Sequence, residues 1–146
     1  MENNANSLIR HFSRLIMQLQ KLEKQPRVFG DAGPLTPSEI HTVEAIGSEG
    51  GVPMSELADR LQITKGAVTQ MVSRLEDKRM VRRGPNPNDS RSVIVGLTDK
   101  GKTALQIHDR LHMDFYKELG AHLNEQERSI LEHALEKLCT HLQKQE

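Results

Sequence analysis

The segment from Ser55 to Arg79 constrains the fold most, because it contains two short amphipathic stretches separated by very few residues. The first stretch runs from Ser55, a favourable capping residue, to Leu61, and Thr64 is placed to cap the second. In the second stretch the apolar side chains recur at steps of three and four, which is the spacing of one helix face. These side chains are Val68, Met71, Val72 and Leu75. We therefore predict two short helices joined by a tight turn, the second ending near Arg79.

The opposite face of the second helix is small and polar, which suits it to the major groove of double-stranded DNA, about 12 Å wide. Short side chains on that face let the helix backbone approach the bases, as in a helix-turn-helix. The residues predicted to reach base edges are Thr69, Gln70 and Ser73, those predicted to lie near phosphates are Thr64, Lys65 and Arg74, and Gly66 shares the small face. The sequence thus predicts a helix that reads DNA.

Two predicted strands, Met80–Arg83 and Ser92–Leu97, follow the reading helix and form a long basic hairpin. Residues 84–91 make an exposed tip, which we expect to be too rich in proline to pair along its length. Within the tip, Arg91 can reach a minor groove, where a narrow A·T tract favours a guanidinium group. Asp89 is expected to orient a nearby arginine. The hairpin residues predicted to bind DNA are Arg82, Arg83, Asp89 and Arg91.

Local charge supports this region as the contact with nucleic acid. The whole chain is neutral, with 20 basic and 20 acidic side chains, so bulk charge does not attract DNA. Residues 51–102 nevertheless hold ten of the basic residues and only six of the acidic ones. Aromatic residues make up 3% of the chain, which argues against stacking on single-stranded bases. The predicted partner is therefore double-stranded DNA, bound through one locally basic region.

Long amphipathic segments flank this region on both sides. Residues 7–25 carry an apolar stripe, and residues 103–145 contain two more predicted helices, the second capped by Asn124. A helix-turn-helix with a basic hairpin offers these stripes too few partners within one chain, so we predict that they join two copies as a homodimer. The chain is then expected to form a single domain, 1–146, whose DNA-binding region is 35–100.

Residues 35–105 resemble the MarR family of winged-helix transcriptional regulators. The motifs that carry the resemblance are Leu35-Thr36, Ser55-Glu56-Leu57-Ala58, Thr64-Lys65-Gly66-Ala67-Val68-Thr69, Asn86-Pro87-Asn88-Asp89-Ser90-Arg91 and Leu97-Thr98-Asp99-Lys100-Gly101. The resemblance implies a mainly α fold, a winged helix-turn-helix with long N- and C-terminal dimerisation helices and a two-stranded β wing. It also implies a homodimer on a pseudo-palindromic operator, usually a repressor, which a small ligand, a metal or oxidation releases.

Four side chains from three predicted helices suggest a metal site. His108 and His112 are four residues apart in the apolar stripe of the fifth helix, so their imidazoles lie on one face. His41 points away from the inward stripe of the second helix, and Glu23 lies near the end of the first. One carboxylate and three imidazoles suit tetrahedral zinc or another divalent metal. The set is similar to that of the family's zinc-responsive branch, although residues 26–34 lack the cysteine of that branch's second site.

The same histidines allow other interpretations. They could line a pocket for a small organic effector that is phenolic, acyl or drug-like, or they could be hydrogen-bonded packing residues. The run from His108 to His112 also differs by one methylene group from the H-E-x-x-H pattern of zinc peptidases, but aspartate is too short for the usual general base. We therefore predict no enzyme and no required cofactor. A winged helix that binds only protein is a further alternative, which tight DNA binding would dismiss.

Cysteine usage and hydropathy bear on the compartment. Cys139 is the single cysteine, so no intrachain disulfide forms, and we expect its thiol to be buried on the last helix. No run approaches the roughly 20 apolar residues of a membrane span, and the N-terminus has no signal pattern. We expect a soluble cytoplasmic protein with no membrane partner.

Overall fold

The computed structural model describes residues 2–24 and 26–143, with side chains from residue 6 onward. The helices are α1 (Glu2–Glu23), α2 (Pro37–Ile46), α3 (Met54–Leu61), α4 (Lys65–Asp77), α5 (Asp99–Ala121) and α6 (Glu125–Gln143). The strands are β1 (Arg27–Val28), β2 (Pro34–Leu35), β3 (Gly51–Pro53), β4 (Val81–Asn86) and β5 (Asp89–Leu97), with a 3-10 turn at Gly30–Ala32. The chain divides within α5 into two compact units, 1–108 and 109–146. The fold is a mainly helical winged helix-turn-helix, as predicted.

Capping residues set the start of several helices. The Thr36 hydroxyl accepts a hydrogen bond from the Glu39 N–H and the Glu39 carboxylate accepts one from the Thr36 N–H, which makes a capping box at α2. The Thr64 hydroxyl accepts from the Ala67 N–H at the start of α4. The predicted cap at Thr64 is therefore present, and the two caps fix where α2 and α4 begin.

The predicted cap at Ser55 is wrong. Helix α3 begins at Met54, the cap position is Pro53, and no side chain caps it. Strand β3 leads directly into the helix, and proline has a fixed φ that suits the residues at a helix start. The turn after α3 depends on Gln62, which adopts a left-handed conformation at φ 53° and donates its N–H to the carbonyls of Ala58 and Asp59.

The hairpin pairs farther than the sequence predicts. Strands β4 and β5 are antiparallel as far as Asn86 and Asp89, with an irregularity at Pro85 and Asn86, so only residues 87–88 form the turn. The expectation of an unpaired tip over residues 84–91 is wrong for residues 84–86 and Asp89, whereas the register skips Ser90 and Arg91. Pro85 pairs because β4 is an edge strand, where its missing N–H is tolerated. Strand β3, which the sequence did not predict, pairs with β5 and adds a third strand at the base of the wing.

The hydrophobic core of the first unit lies among α2, α3, α4, the three-stranded sheet and the first half of α5. Its largest fully buried side chains include Phe29, Leu35, Ile46, Leu57, Leu75 and Met80. The start of α5 is tied to this core, because Thr98 donates from both its N–H and its hydroxyl to the Met80 carbonyl oxygen. Gly101 lies so close to that oxygen that a Cβ would be 2.1 Å from it.

The long helices differ from the core in exposure. In α1 the apolar residues Leu8, Phe12, Leu15 and Ile16 are exposed, and none of the residues of α6 is buried. Cys139 is exposed as well, so its predicted burial is wrong for the single chain, because α6 has no covered face there. None of the described helices has the length and hydropathy of a membrane span. Gln25, where the first apolar stripe was predicted to end, lies outside the described residues. Residues 144–145 of the last predicted helix lie outside them as well.

Candidate nucleic-acid interface

The two faces of α4 separate as the sequence predicts. Val68, Val72 and Leu75 are buried against the core, and Met71 is partly buried. The opposite face is open to solvent except for Ser73, which is half-buried. Its exposed members are Thr64, Lys65, Gly66, Thr69, Gln70 and Arg74. A polar helix face is therefore presented by a helix that packs on the core, which is the geometry that reading a major groove needs.

Two hydroxyls of this face already make hydrogen bonds within the protein. Thr69 donates its hydroxyl to the Lys65 carbonyl oxygen over 2.8 Å. The Ser73 hydroxyl oxygen accepts from the Arg83 guanidinium over 2.7 Å. Gln70 is exposed between them and carries the longest uncharged polar side chain of the face. The residues predicted to reach bases are thus together on one surface, with Gln70 extending farthest.

Local hydrogen bonds order the tip of the wing. The Asn86 carboxamide oxygen accepts from the Asn88 N–H over 3.0 Å, and its amide group donates to the Ser92 hydroxyl. The Asp89 carboxylate accepts the Arg91 N–H over 3.0 Å. Asp89 therefore holds the backbone of Arg91, whereas the sequence analysis expected it to orient an arginine side chain. The Arg91 side chain is exposed.

Arg82 and Arg83 are neighbours on β4, and both residues are exposed. Arg83 is directed at α4, where its Nε lies 3.2 Å from a carboxylate oxygen of Glu76. Successive side chains of a strand point to opposite faces, and that alternation is the signal by which the sequence could have separated the two arginines. Glu76 was not predicted as its partner.

An ion pair between α2 and the end of α4 braces the reading helix. The Lys78 ammonium lies 2.7 Å from a Glu39 carboxylate oxygen and also donates to the Pro34 carbonyl. Burial alone raises the pKa of Glu39, but the hydrogen bonds from Lys78 and from the Thr36 N–H, together with the charge of Lys78, outweigh it. The pKa of Glu39 is therefore below its ordinary value, and the carboxylate is charged at neutral pH.

Two of the predicted metal ligands, His41 and His108, meet within the first unit. The rings of His41 and His108 meet edge to face with centroids 6.3 Å apart. Glu23 is exposed near the end of α1, and His112 belongs to the second unit, where its ring meets that of Tyr116. Among residues 2–24 and 26–143, no group of three or more histidine, cysteine or carboxylate side chains is arranged to hold a metal ion. The described residues therefore show no metal site, and the four-ligand set stays a prediction.

His108 has other neighbours that account for its burial. It is 5% exposed, its ring lies 6.2 Å from that of Phe29, and its Nε2 lies 3.7 Å from a carboxylate oxygen of Glu44. The sequence analysis did not identify Glu44 or Phe29 as neighbours, because both contacts are long-range in sequence. This environment matches the interpretation of His108 as a packing residue.

A small polar helix face beside a basic, ordered wing defines a winged helix-turn-helix DNA-binding protein. Residues 34–92 match the family model described as the MarR family. The multiple antibiotic resistance protein MarR of Salmonella typhimurium is 35% identical over 105 residues, which cover 71% of this chain and 73% of that protein. The chain belongs to the MarR family, whose members are DNA-binding transcriptional regulators and not enzymes.

Solved structures agree with this assignment. A mutant of MarR from Escherichia coli, complexed with operator DNA, is 30% identical with a TM-score of 0.65, and the match covers 89% of this chain and 94% of that one. FabT of Streptococcus pneumoniae, in complex with DNA, has a TM-score of 0.78 over 100% of both chains. FabT is 23% identical, so this second match shows the fold alone.

Proposed function

We propose that this protein is a repressor that binds a pseudo-palindromic operator as a homodimer. The observation that carries the proposal is the exposed polar face of α4 beside the ordered basic wing, in a chain of the MarR family. In a dimer, two α4 helices would enter major grooves about one helical turn, or 34 Å, apart. A regulator of transcription acts where genomic DNA lies, so a cytoplasmic location is part of this proposal.

The proposed dimer uses the long helices. Residues 35–100 would form the DNA-binding part of a single domain, 1–146, and residues 7–25 and 103–145 would form the dimer contact. The exposed apolar residues of α1 and α6 support this division, because large apolar surfaces on a helix need cover.

The proposed DNA contacts have three roles. Gln70 would read base edges, and Arg91 would enter the minor groove beside the α4 site. Residues that would contact phosphates, directly or through the helix start, are Thr64, Lys65, Arg74 and Arg82. Gly66 leaves room for the backbone to approach, and Asp89 holds the backbone of Arg91. Thr69 and Ser73 remain on the reading face.

Arg91→Ala is the direct test of the wing. We expect weaker binding and a salt dependence that falls by about one unit per protomer, because one phosphate-region charge is lost. The probe is a duplex that the parent protein selects from a random-sequence library. Arg27→Ala, which removes the same charge from an exposed residue outside the proposed DNA-binding and dimer regions, is the matched control and should bind as the parent does. Equal affinity of Arg91→Ala and parent at two salt concentrations would show that the wing does not touch DNA.

The effector is proposed to be a divalent metal such as zinc or a small organic molecule. The rings of His41 and His108 meet, and this pair could supply two imidazole ligands or line an organic pocket. Elemental analysis of the purified protein, with DNA titrations in the presence and absence of zinc, decides between them. Stoichiometric zinc, or a zinc-dependent change in DNA affinity that is lost in His108→Ala, would restore the metal site.

A further inference from the structure

Arg83 makes more contacts with α4 than any role in binding phosphate requires. Its Nη2 donates to the Ser73 hydroxyl over 2.7 Å and lies 3.4 Å from the Thr69 carbonyl oxygen. Its Nε pairs with Glu76 over 3.2 Å, and its backbone N–H also donates to the Glu76 carboxylate over 3.3 Å. One strand residue is therefore attached to three residues of the reading helix.

The three helix residues follow one line along α4. Thr69, Ser73 and Glu76 are spaced by four and three residues, so they lie on one stripe at the edge of the polar face. Planar guanidinium donors that reach two turns of a helix at once fix its rotation about its own axis. A rotation of α4 would move Gln70 sideways and would break these contacts.

The contact also sets what Ser73 can offer to DNA. A serine hydroxyl has one donor hydrogen and two acceptor sites. Since the Ser73 oxygen accepts from Arg83, its hydrogen and one acceptor site remain for a contact with DNA.

We infer that Arg83 is a positioning residue for base recognition, which holds α4 at a fixed rotation against the wing through Ser73, Thr69 and Glu76. This inference rests on the proposed sequence-specific DNA binding. It differs from the sequence-based prediction that Arg83 contacts DNA itself. Arg82, its neighbour on the opposite face of β4, keeps the phosphate role.

Glu76→Gln distinguishes a positioning role of Arg83 from a purely electrostatic one, because the two predict opposite changes in affinity for the selected duplex. Removing a negative charge beside DNA should strengthen binding to every duplex if charge alone matters. If Arg83 positions α4, the loss of its carboxylate partner should weaken binding to the duplex selected by the parent by about tenfold, the size of one lost base contact. Binding to a scrambled duplex of the same composition should stay equal or become tighter. A selected-duplex affinity equal to or above that of the parent overturns the inference.

Arg83→Lys and Arg82→Ala complete the test. The lysine keeps the charge but cannot reach Ser73, Thr69 and Glu76 together, so the salt slope should match that of the parent while the preference for the selected duplex falls. Arg82→Ala should lower both affinities alike and reduce the salt slope by about one unit per protomer. A parental preference in Arg83→Lys overturns the inference. Failure of the parent protein to select any duplex overturns the proposed function instead.

Discussion

The DNA-binding body, residues 35–100, and the last helix, α6, have the same kind of apolar stripe, but the two stripes differ in how far they are buried. In the body, Val43, Leu57 and Val72 are completely buried. In α6, Leu131, Leu135 and Leu138 recur at similar steps, yet each remains 46% to 48% exposed. The difference teaches that periodicity identifies a face that needs cover, whereas only the surrounding chain determines whether that cover comes from within.

A charged residue in the apolar stripe of α6 should have the largest effect, because it prevents a second copy from covering that stripe. Leu135→Glu would place two carboxylates in the proposed dimer contact and remove two buried leucines, at about 2 kcal/mol each. We expect the dimer dissociation constant to rise by about a thousandfold or more, and DNA binding to be lost.

Analytical ultracentrifugation over a range of protein concentrations measures this shift. Thr140→Glu adds the same charge on the opposite side of α6 and is the matched control, which should stay dimeric. A parent protein that sediments as a monomer at every concentration would contradict the comparison itself.

Two glycines of α5 sharpen the contrast between the tight body and the open second unit. In Gly101→Ala the new Cβ would lie 2.1 Å from the Met80 carbonyl oxygen, so we expect the free energy of unfolding to fall by about 3 kcal/mol. In Gly120→Ala the nearest atom is a side-chain carbon of Arg128 at 3.7 Å, which is ordinary contact. That variant should be unchanged or up to about 1 kcal/mol more stable. Urea unfolding of both variants tests the pair, and equal effects would refute the difference in packing.

The Glu39–Lys78 pair tests how far the body depends on a charge. Glu39→Gln should lower the free energy of unfolding by about 1 kcal/mol at neutral pH, because a charged hydrogen bond is lost. The pKa of Glu39 is lower in the folded than in the unfolded protein, so its contribution is complete above about pH 4.3 and is lost as the pH falls through the folded value. The difference in the free energy of unfolding between parent and Glu39→Gln should therefore become smaller below about pH 4. Glu49→Gln, at an exposed position, is the control. A difference in the free energy of unfolding that does not change with pH would show that the Glu39–Lys78 ion pair does not stabilise the fold.

The smallest expected effect lies in the turn of the helix-turn-helix. Gln62 holds a left-handed conformation that side chains rarely adopt, so Gln62→Gly should relieve strain. The flexibility of glycine in the unfolded chain offsets part of that gain, and we expect a net stabilisation of a few tenths of a kcal/mol. Thermal unfolding measures it, and a clear loss of stability would show that the Gln62 side chain makes a contact of its own.

Signals that act over a few residues were predictable from the sequence. Thr36 and Glu39 form their capping box, Thr64 caps α4, and the apolar side of α4 is the buried one. Each depends on spacings of three or four residues, which local physics determines. The start of α3 was misplaced because Pro53 closes β3, and the pairing of β3 with β5 joins segments about 40 residues apart.

In the candidate site, too, local features were predictable and contacts between distant residues were not. The exposed polar face of α4 was predictable because it is the complement of a local apolar stripe. The partners of Arg83 and of His108 were not, because Glu76 belongs to another element and Glu44 meets His108 only after folding. The zinc hypothesis placed four ligands together from their helix faces alone. Within the first unit His41 and His108 meet, and His112 belongs to the second unit.

The attachment of Arg83 to α4 has a consequence for engineering this regulator to recognise a new operator. Gln70 is exposed, and a library at this position can explore new base preferences while the scaffold is left intact. Ser73 is bonded to Arg83, so a replacement there must also supply an acceptor for the guanidinium. If both positions were randomised together, changes in base preference could not be told apart from a loss of the fixed rotation of α4. Randomising Gln70 first, with Ser73, Glu76 and Arg83 held constant, keeps the two kinds of change apart.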